Sequence, residues 1–310
     1  MYKNVQTEIK KYTLNETLHE LHKDKNDISN FGMDNTNELL DGGFGLYSTA
    51  NTKRSIGPIK TEYYRIAFIR SGTADFSIGL ETFQPTPNNV LFGFPGQLFS
   101  LQNPTDDFFA LYILFSENFI AETLLLKNNR NQYPFLTYSG VQCLPLNEEE
   151  TKEIETLIYK INDEVKSRKA NANHAIQLYI QLIFIISGRN YARTVLSNQT
   201  PMDSGDQLFR RFLRMVSEHY LSVQKVGAYA EMLHVSADHL NRTIKAYSDK
   251  TAHELIDEMI GIEAKAYLLH SKLSISEIAY RLNFSDPSHF NKFFKKLSGC
   301  TPLQYRNKSE

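Results

Sequence analysis

The chain is short of cysteine, of histidine through its first half, of long apolar runs and of net charge, and each shortage excludes something. Cys143 and Cys300 are the only cysteines in 310 residues, so there is neither a disulfide framework nor a cysteine metal motif. Cys300, in a Gly-Cys-Thr-Pro turn, reads as a small packing residue, because no basic neighbour or resolving cysteine marks it as a redox sensor. No histidine falls between His22 and His174. Transition metals need clustered imidazole or carboxylate ligands, so no histidine metal site is expected there, and no cofactor. The N-terminal MYKNVQTEIKK lacks a hydrophobic signal core. The longest apolar run, around Tyr179 to Ser187, is interrupted by Gln181, well short of the ~20 residues of a membrane span. A cytoplasmic protein with no membrane partner is expected.

Net charge is −1, which excludes a general polyanion binder. The charge is uneven: Asp206 to Glu310 holds 15 Lys+Arg against 12 Asp+Glu, and the remainder carries −4. An excess this small makes affinity for a nucleic acid depend on placed contacts rather than bulk field. The length leaves room for two domains, each with its own core.

Residues 274–306, SISEIAYRLNFSDPSHFNKFFKKLSGCTPLQYR, read as helix, tight turn, helix. Ile275, Ile278, Ala279 and Leu282 share one face of the first helix. Asn283 suits the turn, since Asn tolerates left-handed dihedrals. Asp286 is an N-cap and Pro287 a first helical residue, and Gly299 is a C-cap. In the second helix Phe290, Phe293, Phe294 and Leu297 follow i, i+3, i+4, i+7. Ser288, His289, Asn291, Lys292, Lys295 and Lys296 occupy its other face. Five basic residues and no acidic one lie between Pro287 and Ser309. Such a helix suits a DNA major groove, although any helical hairpin with a solvated basic face gives a similar pattern. The stretch repeats itself about fifty residues upstream. Ile275, Ala279 and Leu282 fall on Val226, Ala230 and Leu233, and Thr301 falls on Thr251. After a one-residue gap, His289, Phe290, Asn291, Lys292, Phe294 and Lys295 fall on His239, Leu240, Asn241, Arg242, Ile244 and Lys245. There Leu240, Thr243, Ile244 and Tyr247 form the inner stripe and Ser236 the cap. Two units imply paired modules rather than a solenoid.

On the Ile275–Leu282 run, Phe284-Ser285-Asp286, Ser288-His289-Phe290, Phe293-Phe294-Lys295-Lys296, Gly299, Pro302 and Tyr305-Arg306, residues 206–308 resemble the double helix-turn-helix domain of the AraC/XylS family of bacterial transcription regulators. Asn283 replaces that family's usual turn glycine and Tyr229 its usual leucine. Ahead of it, residues 43–116 read as short strands. Phe76, Ile78 and Leu80 alternate with polar neighbours, and Tyr63–Arg70, Val90–Phe94, Leu98–Leu101 and Phe108–Phe115 are bounded by turn signals, the pattern of a barrel or jelly roll. Their position resembles the family's cupin-like sensor barrel. The expected fold is therefore α+β in two domains: an arm over 1–40, a cupin-like barrel over 41–145, a helical segment over 146–190, a linker over 191–205 and the double helix-turn-helix over 206–310. A short helix over Glu16 to Lys23 is expected in the arm. Helices over 148–168 and 174–187 either pair two subunits, as the resemblance implies, or are buried within one chain.

The resemblance implies a DNA-binding regulator, not an enzyme, with double-stranded DNA, RNA polymerase, a second copy and a small-molecule effector as partners. It places base contacts at Ala237, Asp238, Asn241 and Arg242, and at Pro287, Ser288, Asn291 and Lys292. Arg242 or Lys292 can donate to guanine, Asn241 or Asn291 can pair with adenine, and Asp238 can accept from cytosine. Ser236, His239, Lys245, Ser285, His289, Lys295 and Lys296 are suited to phosphates, with His289 equally suited to wedge between helices. In the barrel, Tyr64, Arg65, Arg70, Phe76 and Phe92 are candidates for a ligand pocket, although which face of the Tyr63–Arg70 strand points inward is open. A regulator whose barrel serves only for dimerisation is the alternative, and a barrel enzyme a more distant one. Arg242→Ala is expected to cost about 1–3 kcal/mol of DNA binding and to relax specificity in one half of the site only. Lys295→Ala is expected to weaken all sequences alike and flatten the salt slope; binding titrations on an oligonucleotide panel at several salt concentrations separate the two.

Overall fold

The computed structural model describes residues 31–33, 39, 42–120, 133–137, 141–167, 169–197 and 203–307. The expected helix over Glu16 to Lys23 lies outside these residues. Two antiparallel sheets make the N-terminal domain. One has the order β1 (Phe44–Ser48), β8 (Phe109–Phe115), β3 (Tyr64–Ser71), β6 (Asn89–Gly93), β9 (Cys143–Pro145). The other runs β2 (Ile56–Lys60), β7 (Leu98–Gln102), β4 (Asp75–Ile78), β5 (Glu81–Phe83).

The pleat of β3 divides the domain's core. Residues two apart share a face of a strand, so Tyr64, Ile66 and Phe68 join Phe92, Ile113 and Phe115 on one side. Ala67 and Ile69 join Phe76, Phe99 and Leu101 on the other, between the sheets. The first face packs against two helices, α1 (Glu148–Ser167) and α2 (Ala172–Ser197). Ile154, Ile158, Ile161, Ile176, Ile180 and Phe184 are buried beneath it, each contributing roughly 1.5–3 kcal/mol. This burial is within one chain. Helix α2 also runs further than the sequence suggests, past Gly188 and through part of the expected linker. Asn190 and Arg193 explain the extension: the Asn190 amide donates to Pro145 O at 2.9 Å and to Glu150 Oε2 at 2.8 Å, and Arg193 donates to Glu150 at 2.9 and 3.1 Å.

The C-terminal domain is all helix: α3 (Ser204–His219), α4 (Val226–Met232), α5 (Ala237–Ser248), α6 (Ala252–His270), α7 (Ile275–Arg281), α8 (Pro287–Ser298) and α9 (Pro302–Asn307). A capping box, Thr251 with Glu254, starts α6. Leu255, Ile256, Met259, Ile260, Ala264, Tyr267 and Leu268 bury it on several sides, so one apolar stripe does not describe it. Gly261 is a close-packing position rather than the weak point that propensity suggests. A Cβ there would lie 1.9 Å from Leu297 Cδ2 of α8.

The two domains dock through β2, β7 and α6. Leu98 of β7 is buried in the core of the helical domain. Beside it Lys60 of β2 donates to Glu263 Oε1 at 3.2 Å and to the Tyr220 hydroxyl at 3.4 Å. Glu263 is 0% exposed, and burial raises its pKa against the opposing pull of Lys60. A folded-state pKa raised above the unfolded value means the ionised carboxylate opposes docking as pH rises above about 4.5. Lys60→Met strips Glu263 of its counter-charge. It is expected to destabilise the protein by roughly 3–5 kcal/mol near pH 8 and by progressively less toward pH 5, where protonation relieves the lone carboxylate. Thermal unfolding across that range checks this, and a pH-independent loss contradicts it.

Candidate nucleic-acid interface

The repeat seen in the sequence is a repeat of hydrogen bonds. In the first module Val235 N donates to Ala230 O at 3.0 Å and His234 N to Glu231 O at 3.0 Å. In the second, Phe284 N donates to Ala279 O at 3.0 Å and Asn283 N to Tyr280 O at 3.1 Å. Both turns pass through the left-handed region at the same place, His234 at φ 58° and Asn283 at φ 65°. Each second helix then ends on a left-handed residue, Asp249 at φ 56° and Gly299 at φ 75°. Thr251 with Glu254 and Thr301 with Gln304 form matching reciprocal caps beyond them.

Equivalent side chains anchor the two recognition helices, α5 and α8. Leu240 and Ile244 of α5, and Phe290 and Phe294 of α8, are fully buried. Tyr229, in place of leucine, buries its ring against Phe212 and donates its hydroxyl to Val223 O at 2.8 Å. Tyr247, expected in the inner stripe, is exposed instead. It stacks on Phe209 and hydrogen-bonds Asp203, which caps α3. The signature residues near the C-terminus are structural. Tyr305 packs edge-on against Phe294, and Arg306 donates to Leu268 O at 3.2 Å and Leu273 O at 2.7 Å.

The residues expected to contact DNA divide by what the fold already asks of them. On α5, Ala237, Asp238, His239, Arg242 and Lys245 are exposed, and on α8 so are Ser288, His289, Lys292, Lys295 and Lys296. Exposure of His289 favours the outward role over a wedge. Asn241 and Asn291 are half-buried and already bonded. Asn241 Oδ1 accepts from Ala252 N at 3.2 Å at the start of α6, and Asn291 Nδ2 donates to Pro287 O at 2.9 Å. Each amide keeps a free proton and a free lone pair, but turning to lay both ends on adenine gives up the bond it makes within the fold. Pro287, also half-buried, is the first residue of α8. Ser236 accepts from His239 N as the cap of α5, and Ser285 is exposed. Asp286 caps α8, its carboxyl held below the usual range chiefly by hydrogen bonds from Ser288. Lys245 and Lys296 both bear on Glu254 at the head of α6, which offsets part of their attraction for phosphate.

The expected pocket residues divide as well. Arg65 and Phe76 line a small cavity of about 50 Å³ between the sheets, with Tyr63, Phe99, Tyr112 and Leu114. Tyr64 and Phe92 belong to the opposite face, under the helices. Arg70 pairs with Glu155 of α1 at the surface. A larger cleft of about 540 Å³ lies outside the second sheet, where Ser77 and Ser100 face Lys250, Lys265 and Leu297 of the helical domain. Neither that cleft nor the Lys60–Glu263–Tyr220 contact is foreshadowed by any sequence pattern. Among the described residues no cluster of three or more His, Cys, Asp or Glu is placed to hold a metal ion, and no helix is long and apolar enough to cross a membrane.

A helix-turn-helix domain model matches residues 229–308. The chain is 34% identical over 104 residues to histidine kinase P4 of Formosa agariphila, a match covering 33% of this chain and 8% of the kinase. It is 27% identical over 137 residues to the HTH-type transcriptional activator RhaS of Salmonella schwarzengrund, covering 44% of this chain and 46% of the activator. These matches span about half of the activator's length and a small part of the kinase's. Among solved structures, the C-terminal domain of AraT, a response regulator from Geobacillus stearothermophilus, matches at 31% identity and a TM-score of 0.32, covering 33% of this chain and 84% of that one. With its two matching bihelical modules on one connecting helix, the C-terminal domain of this chain belongs to the AraC/XylS family of helix-turn-helix domains.

Proposed function

We propose that this protein is a sequence-specific DNA-binding transcription regulator in which the N-terminal sandwich responds to a small molecule. The observation that carries the reading is the pair of modules. Each has a recognition helix buried on one side by Leu240 and Ile244 or by Phe290 and Phe294, and exposing Arg242 and Lys245 or Lys292, Lys295 and Lys296 on the other. Helix α6, 19 residues long, spans ~28 Å at 1.5 Å per residue. A connector of that length supports modules that read adjacent major-groove segments about one turn, ~34 Å, apart. Direct readout then falls on Asp238, Arg242 and Lys292, with Ser288 shared with Asp286, while the two asparagines act by holding the helices. RNA polymerase is the partner through which such a regulator acts, and the cytoplasm is where it meets its DNA.

A second copy is the further partner this reading includes. Leu178 and Leu182 of α2, 45% exposed each, lie one turn apart on a helix whose opposite side is buried against the sandwich. They are suited to an isologous contact, and the alternative of a barrel that serves only for dimerisation rests on this face. Mapping bound chromosomal sites in cells is expected to return a shared motif with two half-sites about one helical turn apart; bound fragments with no common motif contradict the reading. Asn241→Ala is expected to lower stability by about 1 kcal/mol through the lost cap of α6 while leaving the preferred sequence unchanged, read by thermal unfolding alongside oligonucleotide competition. Leu178→Glu with Leu182→Glu is expected to shift the sedimentation of the protein toward monomer.

A further inference from the structure

The cavity between the two sheets holds an arginine without an acid. Arg65 projects from β3 into that space, its guanidinium carbon 3.5 Å from the centroid of Phe99 and 5.9 Å from that of Tyr63. Three other basic side chains of the domain have acidic partners. Arg70 is paired with Glu155, Arg54 with Asp106 and Lys60 with Glu263. The groups that act on Arg65 are the phenols of Tyr63 and Tyr112, and no carboxylate among the described residues is one of them. Burial accordingly pushes the guanidinium below its ordinary pKa. The same burial raises Tyr112, with Tyr47 and Tyr63 around it.

A second buried donor stands beside it. Gln97 is 3% exposed. Its Oε1 accepts from Phe94 N at 2.9 Å, which fixes the amide's orientation, and its Nε2 has no acceptor among the described residues. Both side chains flank Gly93: a Cβ placed there would lie 3.6 Å from Gln97 Oε1 and 3.7 Å from Arg65 Nη1. The half-buried guanidinium has only a neutral phenol, Tyr63, as its hydrogen-bond partner, and the buried Gln97 N–H has no acceptor among the described residues; an ionised acceptor offsets the desolvation of both. The planar fork of arginine fits a carboxylate in bidentate fashion. Phe76, Phe99, Leu101 and Leu114 supply apolar walls, and Thr49, Thr52, Tyr63 and Tyr112 supply hydroxyls; the volume suits a head group with a short tail.

We infer that the end of the sandwich around Arg65 and Gln97 is a binding site for a small carboxylic acid in its ionised form, the carboxylate on Arg65 and Gln97 and the tail between the sheets. The inference rests on the reading of the sandwich as a sensor and gives its ligand a chemical class. It also gives the signal a short route. Gln97 is followed by Leu98, which is buried in the helical domain. Leu98 pairs across the sheet with Lys60, the partner of Glu263. A ligand that repositions Gln97 acts on the joint between the domains, to the extent that it binds one domain arrangement better than the other.

The test uses the full chain, with sodium acetate and propionate compared with acetamide and propionamide at constant ionic strength, read by calorimetry and thermal unfolding. Propionate at 100 times its dissociation constant is expected to raise the melting temperature by about 3 °C or more, and the amides to leave it unchanged. Gln97→Glu keeps an acceptor for Phe94 N and sets a carboxylate beside Arg65. It is expected to raise the melting temperature without ligand and to weaken propionate binding at least about tenfold. Arg65→Gln is expected to abolish propionate binding without lowering the melting temperature of the free protein. Equal binding of amide and acid overturns the carboxylate assignment and leaves the sensor reading standing. Unaltered propionate binding by Gln97→Glu, or no response to any of the four probes, overturns the site itself, while the chromosomal motif remains a separate test of the regulator.

Discussion

Burial of helix α6 on several sides is the constraint on which the C-terminal half depends. An α-helix with one apolar stripe packs against one neighbour, but Ala252–His270 has little solvated face to spare. Leu240 and Ile244 of the first module and Phe290 and Phe294 of the second share its core, and so does Leu98 from the sandwich. The two recognition helices therefore have their relative position set by packing rather than by a flexible connection. Gly261 completes the arrangement by admitting Leu297 of α8 close to the helix axis. Interiors packed at this density do not deform gradually, so a change in how the sandwich sits on α6 is felt by both modules together.

The ion pair at the joint between the domains is polar where the rest of the joint is apolar. Lys60, Glu263 and Tyr220 bring a strand and two parts of the helical domain to one point. A buried pair of this kind adds little net stability over an apolar replacement, but loss of one partner is costly. It therefore specifies one docked geometry more than it strengthens docking. Its carboxylate, held with a raised pKa by burial, also makes that geometry sensitive to proton concentration in a direction fixed by physics.

Much of the C-terminal domain was legible because its signals are local. The N-caps Ser236 and Asp286, the left-handed Asn283 and Gly299, and the buried pair Phe290 and Phe294 depend on residues within a turn or two of one another; Phe293 of the same stripe is only half-buried and Leu297 is exposed, because Leu297 lies over Gly261 at the edge of α6. The functional side chains were less legible. Asn241 and Asn291 are the right residue types at the right offset for reading adenine, yet one caps α6 and the other bonds its own helix. A motif fixes which residues face outward and not whether a neighbouring element claims their hydrogen bonds first. Periodicity alone places Tyr247 in the inner stripe, but Asp203 and Phe209 hold it at the surface.

The sequence by itself determined the duplicated helical units, their caps and turns, and a set of short strands before them, because helix periodicity, strand alternation and turn chemistry act over a few residues. It could not say which face of Tyr64–Ser71 looks between the sheets, since a strand buried on both sides carries apolar residues on both. Only the packing of α1 and α2 decided that, sending Tyr64 toward the helices and Arg65 toward Phe99. Tertiary structure alone also decided that Lys60 would meet Glu263, 203 residues away along the chain. Long-range pairings leave no periodic trace, because they are fixed by the summed burial of whole elements rather than by any spacing along the backbone.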